Sequence, residues 1–414
     1  MKITIINRKL LELEVTMDKS RKLAGSLIKY HRERLGITQK ELCSGICVVS
    51  HLSKIENNKV DSSPQIIQEL FQKLGMNYYD DEDFIKKNQY NFEKFYSNIN
   101  YHRKTDSIVE EIIKEKDRLI NSPLIIDYLL VEAYSDINKH NNIKRLSELE
   151  IYMNTQQIGW FYIVKAWNCG KSKEDNVREL LSRSYALLRN SYSLLTLMSL
   201  ELGEGNFYKA IELGSETISL ALIEGNVMAI ANVNLLIGNC YAAQNLPDLM
   251  LPYYERAKNI LFELDRQDLI AAINYNIGAT FFESGQHEKA LYYLEKSHDK
   301  RSMEDYSAFL LYHKLGLVHL RLDSNNKAKD YIEKAKEKLS LLSEDYDVNS
   351  LMIEVAELQL ENGYLDNPVY LEKLEKLCRI LNVQHPKGFY LFHKRMLEQV
   401  YCHLRQYKKA YLLK

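Results

Sequence analysis

An internal repeat centred on glycine restricts the fold of this chain more than any other feature of its sequence. Three segments of the 414 residues align on Gly238, Gly278 and Gly316, which are 40 and 38 residues apart. A ring side chain follows each glycine after three residues, and Ala290 and Ala328 follow the second and third glycines after twelve. This pattern suits pairs of helices that cross closely at a small residue. A coiled coil is not expected, because no heptad continues through the glycines.

The repeat resembles the tetratricopeptide motif, lengthened by about five residues relative to the usual 34. Weaker copies occur around Gly205 and Ala210 and at the end of the chain around Ala410. Only 6 prolines and 16 glycines are present, which favours long helices. We therefore predict an all-α fold in which residues 106–414 form a right-handed tetratricopeptide-repeat superhelix with a concave groove, preceded by a linker helix over 80–105.

Residues 17–79 have the helix stop and start signals of a small bundle. Gly36 can end a first helix, and Thr38 can cap a short second helix, Gln39–Cys43, by accepting from its orphan amides. After a Ser-Gly break, we expect a third helix from about Val48 to Glu56. Two short helices joined by a tight glycine turn inside a bundle are the helix-turn-helix arrangement.

The bundle contains the string GITQKELCSGICVVSHLSKIENNKVDSS, which closely resembles the Xre/Cro-type helix-turn-helix family. The most specific part is the S-x-I-E-x-x-K ending, formed by Ser53, Ile55, Glu56 and Lys59. This resemblance implies that Gln39, at the start of the second helix, contacts DNA phosphate. It also implies that the third helix enters the major groove.

Charge agrees with DNA binding by this bundle. Residues 17–79 hold ten basic and six acidic groups, a net charge of +4 against −1 for the whole chain, and basic groups neutralise phosphates. Ser50 can bond to either base edge, Val49 can meet a thymine methyl, and Lys54 can reach guanine or phosphate. The predicted DNA-binding residues are Thr38, Gln39, Lys40, Val49, Ser50, His51, Ser53, Lys54 and Lys59. The alternatives are a basic bundle that binds a protein and, for His51, a plain exposed side chain.

The first helix of a tetratricopeptide pair lines the concave groove. When the shared glycine is numbered position eight of each repeat, positions two, five, six and nine are expected to face the groove. Arg321 lies one turn beyond the last of these positions. The predicted peptide-binding residues are Asn232, Leu235, Asn239, Tyr275, Asn276, His313, Lys314 and Arg321. Asparagine amides can pair with an extended peptide backbone, and Lys314 or Arg321 can hold a carboxylate. A solvated surface is the alternative for each asparagine, and Asn234 and Asn274 are either structural or groove-lining.

A Cro-type helix-turn-helix ahead of a tetratricopeptide superhelix resembles the Rgg/Rap/NprR/PlcR/PrgX (RRNPP) family of Gram-positive bacteria, and the length is most similar to its NprR-type members. The resemblance implies a quorum-sensing transcription regulator that is switched by a short, re-imported oligopeptide in its groove. It also implies a homodimer, with a higher oligomer on peptide binding left open. We expect the dimer contact at the apolar, tyrosine-rich end of the chain, 401–413.

Other function classes lack their sequence motifs. The chain contains no G-x-x-x-x-G-K-[ST] phosphate loop, no G-x-S-x-G and no H-E-x-x-H, so we expect neither enzyme activity nor a cofactor. Its six cysteines form no C-x-x-C pair and show no metal-ligand spacing, so no metal site is expected. The remaining alternatives are a tetratricopeptide scaffold and a response-regulator phosphatase or sequestering protein, both acting through protein contacts.

The location follows from the absence of targeting signals. No apolar run reaches the length of a membrane span, and the first residues lack the cleavage site of a signal peptide. We therefore expect a cytoplasmic protein whose partners are double-stranded DNA, a short oligopeptide and a second copy of the chain, with no membrane. Residues 1–16 are interpreted as an N-terminal extension, because Met17 can serve as an alternative start.

Overall fold

The computed structural model describes residues 23–135, 140–168, 177–297, 305–342, 346–384 and 387–413. These ranges contain α-helices and short 3₁₀ turns but no β-strand, and the predicted all-α fold is confirmed. The predicted extension over 1–16 lies outside the described residues. Contacts divide the chain into two compact units, Met1–Leu194 and Leu195–Lys414.

The first unit begins with a four-helix bundle. Its helices are α1 over 23–34, α2 Gln39–Cys43, α3 Val49–Glu56 and α4 Pro64–Lys73. Thr38 starts α2 with a capping box, in which its Oγ1 accepts from Glu41 N at 3.2 Å and the Glu41 carboxylate accepts from Thr38 N at 2.8 Å. Gly45, between α2 and α3, has a φ of +84°, where glycine avoids the penalty of a Cβ. The predicted helix-turn-helix geometry is present.

The core of this bundle is built from one apolar face of each helix. Leu27, Leu42, Leu52 and Leu70 are fully buried. Burial of one such side chain contributes about 1.5–3 kcal/mol. Because Leu52 fixes the inner face of α3, the opposite face of this helix is presented to solvent.

Further helices complete the first unit. They are α5 Glu82–Asn100, α6 Asp106–Lys114, α7 Lys116–Leu119, α8 Ile125–Ser135, α9 His140–Leu149, α10 Thr155–Asn168, α11 Val177–Leu188 and the start of α12 Ser191–Glu204. Helix α5 lies within the stretch predicted as a linker helix, and its Tyr96 ring stacks on Trp160 of α10 at 5.3 Å. Tyr152, in a 3₁₀ turn after α9, has its Oη 2.5 Å from Ser26 Oγ of α1. This contact joins the bundle to the helices that follow it.

The second unit consists of packed helix pairs. Its helices after α12 are α13 Phe207–Glu224, α14 Val227–Ala243, α15 Pro247–Glu263, α16 Gln267–Glu283, α17 His287–Ser297, α18 Asp305–Arg321, α19 Asn325–Leu339, α20 Tyr346–Leu358, α21 Pro368–Gln384, α22 Lys387–His403 and α23 Tyr407–Leu412. The most extensive packing is within α14–α15, α16–α17 and α18–α19. These are the three pairs that the glycine repeat predicts, and one apolar core runs through them.

The shared glycines stand where the two helices of a pair cross. A Cβ atom on Gly278 would lie 2.6 Å from Leu294 Cγ and 3.0 Å from the carbonyl oxygen of Ala290. A Cβ atom on Gly316 would lie 2.8 Å from Ile332 Cγ1. Side chains in a packed core cannot approach so closely, so these crossings require glycine. The predicted packing role of the glycines is confirmed.

The ring three residues after each glycine packs against a ring on the second helix of its pair. The ring centroids are 5.6 Å apart for Tyr241 and Tyr253, 5.7 Å for Phe281 and Tyr293, and 5.4 Å for His319 and Tyr331. In each pair the partner ring follows after twelve residues, so this contact recurs together with the glycine crossing. Aromatic pairs contribute about 0.5–1.5 kcal/mol beyond the area they bury. The ring contact is therefore a second feature that recurs in these three repeats.

Candidate functional site

Side chains from several helix pairs of the second unit converge on a cavity of about 380 Å³. The first helices of three consecutive pairs contribute Asn239 from α14, Asn276 from α16 and Lys314 from α18. Helix α22 contributes Phe392 and Arg395. The cavity therefore combines amides, cations and aromatic rings that are far apart in the sequence.

Two asparagines and a tyrosine form a hydrogen-bonded group in the cavity lining. Asn239 Oδ1 accepts from Tyr254 Oη at 2.6 Å and from Asn276 Nδ2 at 3.0 Å. Burial raises the pKa of Tyr254, so its hydroxyl keeps its proton and donates it. No described residue accepts a hydrogen bond from Asn239 Nδ2, so this amide nitrogen is able to donate to a bound molecule.

Lys314 is a buried cation with aromatic neighbours. The residue is 5% exposed, and its Nζ lies 3.1 Å from the centroid of the Phe392 ring and 5.7 Å from that of Phe282. Among the described residues, no carboxylate lies within 4.0 Å of this nitrogen. Burial lowers the pKa of Lys314 to about 7. Burial also lowers the pKa of the neighbouring His313, and it lowers that of His393 to about 3.

Arg395 holds α22 against two of the repeat helices. Its guanidinium forms an ion pair with Glu283 of α16 and donates to the carbonyl oxygen of Ala243 in α14 at 3.1 Å. The sequence pattern does not mark α22 as part of this site. Arg395 and Ala243 are 152 positions apart, and no local pattern marks a contact over that separation.

Five of the eight predicted groove residues line this one cavity. They are Asn239, Tyr275, Asn276, His313 and Lys314. The other three are outside its lining: Asn232 and Leu235 are half-buried on α14, and Arg321 donates a 2.9 Å hydrogen bond to a glutamine that follows α20. Asn234 and Asn274 are buried, and both donate to backbone carbonyls, so their role is structural.

Helix α3 presents a polar face to solvent. Leu52 and Ile55 are buried, whereas Val49 is 42% exposed. Of the nine residues predicted to bind DNA, the exposed ones are Thr38, Lys40, Val49, Ser50, Lys54 and Lys59. The half-buried ones are Gln39, His51 and Ser53. The structure thus places all nine on α2, on α3 or in the turns beside them.

Glu56, the glutamate of the S-x-I-E-x-x-K ending, ties three helices of the bundle together. Its side chain is 1% exposed and accepts from Arg32 Nε at 2.6 Å and from Gln39 Nε2 at 2.7 Å. The hydrogen bonds to this carboxylate raise the pKa of Arg32 and orient Gln39 at the start of α2. The sequence motif contains Glu56 but does not indicate its pairing with Arg32.

Groups of metal-binding side chains and membrane-spanning helices are both absent from the described residues. Within them, no group of three or more His, Cys, Asp or Glu side chains is placed to hold a metal ion. No helix in the same ranges is long and apolar enough to cross a membrane. The cysteines described as free thiols are Cys43, Cys47, Cys240, Cys378 and Cys402.

Comparison with known sequences finds similarity in two segments of the chain. A helix-turn-helix family model matches residues 28–79, and a tetratricopeptide-repeat family model matches residues 228–302. The transcriptional activator NprA of Geobacillus stearothermophilus is 24% identical over 279 residues, which cover 62% of this chain and 67% of NprA.

Comparison with solved structures shows a shared fold. A Rap protein complexed with competence and sporulation factor has a TM-score of 0.60 at 13% identity, covering 79% of this chain and 96% of that one. The apo form of the quorum sensor NprR from B. thuringiensis has a TM-score of 0.59 at 14% identity, covering 79% and 97%. NprR in complex with its cognate peptide NprX has a TM-score of 0.53 at 14% identity, covering 75% and 98%.

Proposed function

We propose that this chain is a DNA-binding regulator of the RRNPP type, and that a short signalling peptide switches it by binding in the cavity among α14, α16, α18 and α22. The observation that carries this proposal is the convergence of Asn239, Asn276 and Lys314, from three consecutive helix pairs, on one cavity. The solved complex of NprR with its cognate peptide, which shares this fold, supports it.

The asparagine amides fit the backbone of an extended peptide. Such a backbone presents N–H and C=O groups at regular intervals, and a side-chain amide can both donate and accept. Asn239 and Asn276 lie on α14 and α16, the first helices of neighbouring pairs. Asn276 Nδ2 is 3.0 Å from Asn239 Oδ1. The aromatic lining from Phe392 and its neighbours offers apolar surface to the side chains of the ligand.

Helix α3 is the element that would read DNA. Its exposed Ser50 and Lys54 can reach base edges or phosphates, and Val49 can contact a thymine methyl. Lys40 and Lys59, exposed beside it, can neutralise phosphates. This arrangement supports operator binding by the N-terminal bundle.

Binding of the peptide and binding of DNA would be thermodynamically linked in a homodimer. A peptide shifts the regulator only by its differential affinity for the DNA-competent state. A twofold dimer presents two recognition helices to half-sites about one helical turn apart or a multiple of it. Helix α23 exposes Tyr407, Tyr411 and Leu412, and an apolar surface of this kind supports a dimer contact at the end of the chain. The result would be a cytoplasmic quorum-sensing regulator.

Operator binding tests this proposal. The affinity of the protein for promoter DNA flanking its own gene is measured with and without small-peptide fractions of spent culture medium. We expect the affinity to change with a protease-sensitive fraction. Salt-sensitive DNA binding that is indifferent to every fraction would indicate a scaffold instead, and absence of DNA binding under all conditions would contradict the proposal.

Matched variants assign the response to the cavity. Asn276→Ala removes an amide from the cavity lining, and we expect it to reduce the response to the active fraction without changing DNA affinity in its absence. Asn326→Ala removes an exposed asparagine on α19 and should leave the response intact. Thermal unfolding of both variants checks that neither substitution disrupts the fold.

A further inference from the structure

Resting on the proposed function, we infer that the ligand of this cavity carries a carboxylate that pairs with Lys314, and that Lys314 takes up a proton when this ligand binds. The cations near the cavity differ in whether they already have a partner. Arg395 is already paired with Glu283, and Arg321 lies outside the lining and is bonded to a glutamine. Lys314 lines the cavity without a carboxylate of a described residue within 4.0 Å.

Burial of this amine without an anionic partner has a cost. A buried ammonium loses its hydration, and the loss is offset only by hydrogen bonds or an opposite charge. The Phe392 ring, 3.1 Å from Nζ, supplies a favourable cation–π contact, but one that is weaker than an ion pair. A ligand carboxylate that enters the cavity would supply the missing charge in a site of low polarity, where an ion pair is strong.

The groups that surround Lys314 do not compete for this role. On its own helix, His313 is neutral at physiological pH because burial lowers its pKa. From α22, burial likewise keeps His393 neutral, and Arg395 is paired with Glu283 of α16. Tyr275, also on α16, has its pKa raised by burial and keeps its proton. The lining residues from α14 and α20, Asn239 and Met352 among them, do not titrate.

Binding of the ligand would change the protonation state of Lys314. Burial lowers the pKa of Lys314 to about 7, so above pH 7 the neutral amine predominates. Pairing with a carboxylate favours the ammonium form, so one proton moves from solvent to Nζ while no covalent bond of the ligand changes. Since the complex then holds more protons than the separated partners, affinity should fall about fivefold from pH 7 to pH 8.

Two sources of carboxylate share this chemistry: the C-terminus of a peptide and an internal Asp or Glu side chain. Synthetic hexapeptide pools distinguish them. One pool has free C-termini and no acidic residue, one is amidated with a single Asp or Glu, and one is amidated with Asn or Gln at the same positions. Binding is measured by native mass spectrometry, and the tightest peptides are resynthesised for calorimetry in two buffers of different ionisation enthalpy.

The variants make the assignment specific to Lys314. Lys314→Met removes the amine but keeps an unbranched apolar side chain. The fold should be preserved, because the variant no longer buries an amine without an anionic partner. We expect this variant to bind the carboxylate peptide about tenfold to 100-fold more weakly, to take up no proton, and to retain affinity for the amide analogue. Lys329→Met, which removes an exposed lysine on α19, should behave as the unmodified protein does.

The outcomes separate this inference from the proposed function. If the pools that carry a carboxylate bind best, and if Lys314→Met abolishes the proton uptake, then the carboxylate inference and the proposed function are both supported. Equal binding of all three pools, the one with free C-termini included, without proton uptake overturns the carboxylate inference and leaves peptide binding standing. Failure of every pool to bind, free or amidated, overturns both.

Discussion

Glu283 of α16 and Arg395 of α22 form an ion pair in the lining of the cavity, with side chains that are 15% and 31% exposed. The same guanidinium donates to the carbonyl oxygen of Ala243 in α14. One side chain therefore connects a late helix to the first helices of two repeats. The lining of the cavity therefore includes residues of α22 as well as residues of the repeats.

Arg395→Met should loosen α22. The substitution leaves Glu283 partly buried without its cation and the Ala243 carbonyl without its donor, and we expect a loss of about 1–3 kcal/mol in unfolding free energy. Hydrogen–deuterium exchange should increase in α22 and α16. Arg379→Met, an exposed arginine on α21, is the control and should change neither quantity. Unchanged exchange in α22 would show that the ion pair does not hold this helix.

Arg32→Met should destabilise the N-terminal bundle. Glu56 would be left as a buried carboxylate without its cation, which costs about 3–5 kcal/mol. Exchange measured over α1 to α4 should rise strongly, and DNA affinity should fall with it. Arg34→Met, on the same helix but exposed, should preserve the protection of all four helices. Equal protection in the two variants would argue against a structural role for the Arg32–Glu56 pair.

Lys54→Ala should weaken DNA binding through the polar face of α3. If the lysine contacts phosphate, the loss should be nearly uniform across sequences, and the slope of log affinity against log salt should fall by about 1. If it contacts guanine, the loss should be about 1–3 kcal/mol and specific to one base pair. Lys94→Ala, exposed on α5, serves as the control. Full affinity and an unaltered salt slope in Lys54→Ala would exclude this residue from the interface.

Two glycine-to-alanine substitutions should change the free energy of unfolding in opposite directions. In Gly278→Ala the new Cβ meets Leu294 and the carbonyl of Ala290, and overpacking of this kind costs about 1–3 kcal/mol. In Gly203→Ala the Cβ meets nothing within 4 Å, and the gain is about 0.4–1 kcal/mol from reduced freedom of the unfolded chain. Melting temperatures test both. A stable Gly278→Ala protein would mean that the helix pair tolerates a wider crossing.

The stability contributed by Lys314 should rise with pH. Its pKa is lowered from 10.5 to about 7, so between these values the unfolded chain binds more protons than the folded one, and stability increases with pH. Urea unfolding at pH 7 and pH 8.5 is compared with that of Lys314→Met, which lacks this titration. The advantage of the variant should shrink by about 1–2 kcal/mol over this interval. Parallel stability curves would show that the lysine is not desolvated.

The sequence by itself determined the class of fold, the helix-turn-helix and the three central helix pairs. Their signals are local: the Thr38 cap acts on the next turn of chain, and Gly278 meets a residue of the adjacent helix in the same pair. Interactions over such short separations leave a pattern that can be read from one repeat and checked in the next. The same reasoning placed Asn239, Asn276 and Lys314 on inner helices of successive pairs.

Only the tertiary structure decided what surrounds those residues. The contact of Arg395 with Glu283, the burial of Lys314 beside Phe392 and the pairing of Arg32 with Glu56 each join separate helices whose relative placement is set by global packing. The repeat pattern assigns a residue to a helix position, but it does not state which distant helix covers that position. Whether a side chain is buried, and whether it has a charged partner, depends on which helix packs over it. These two properties decide which side chains are available to bind a ligand.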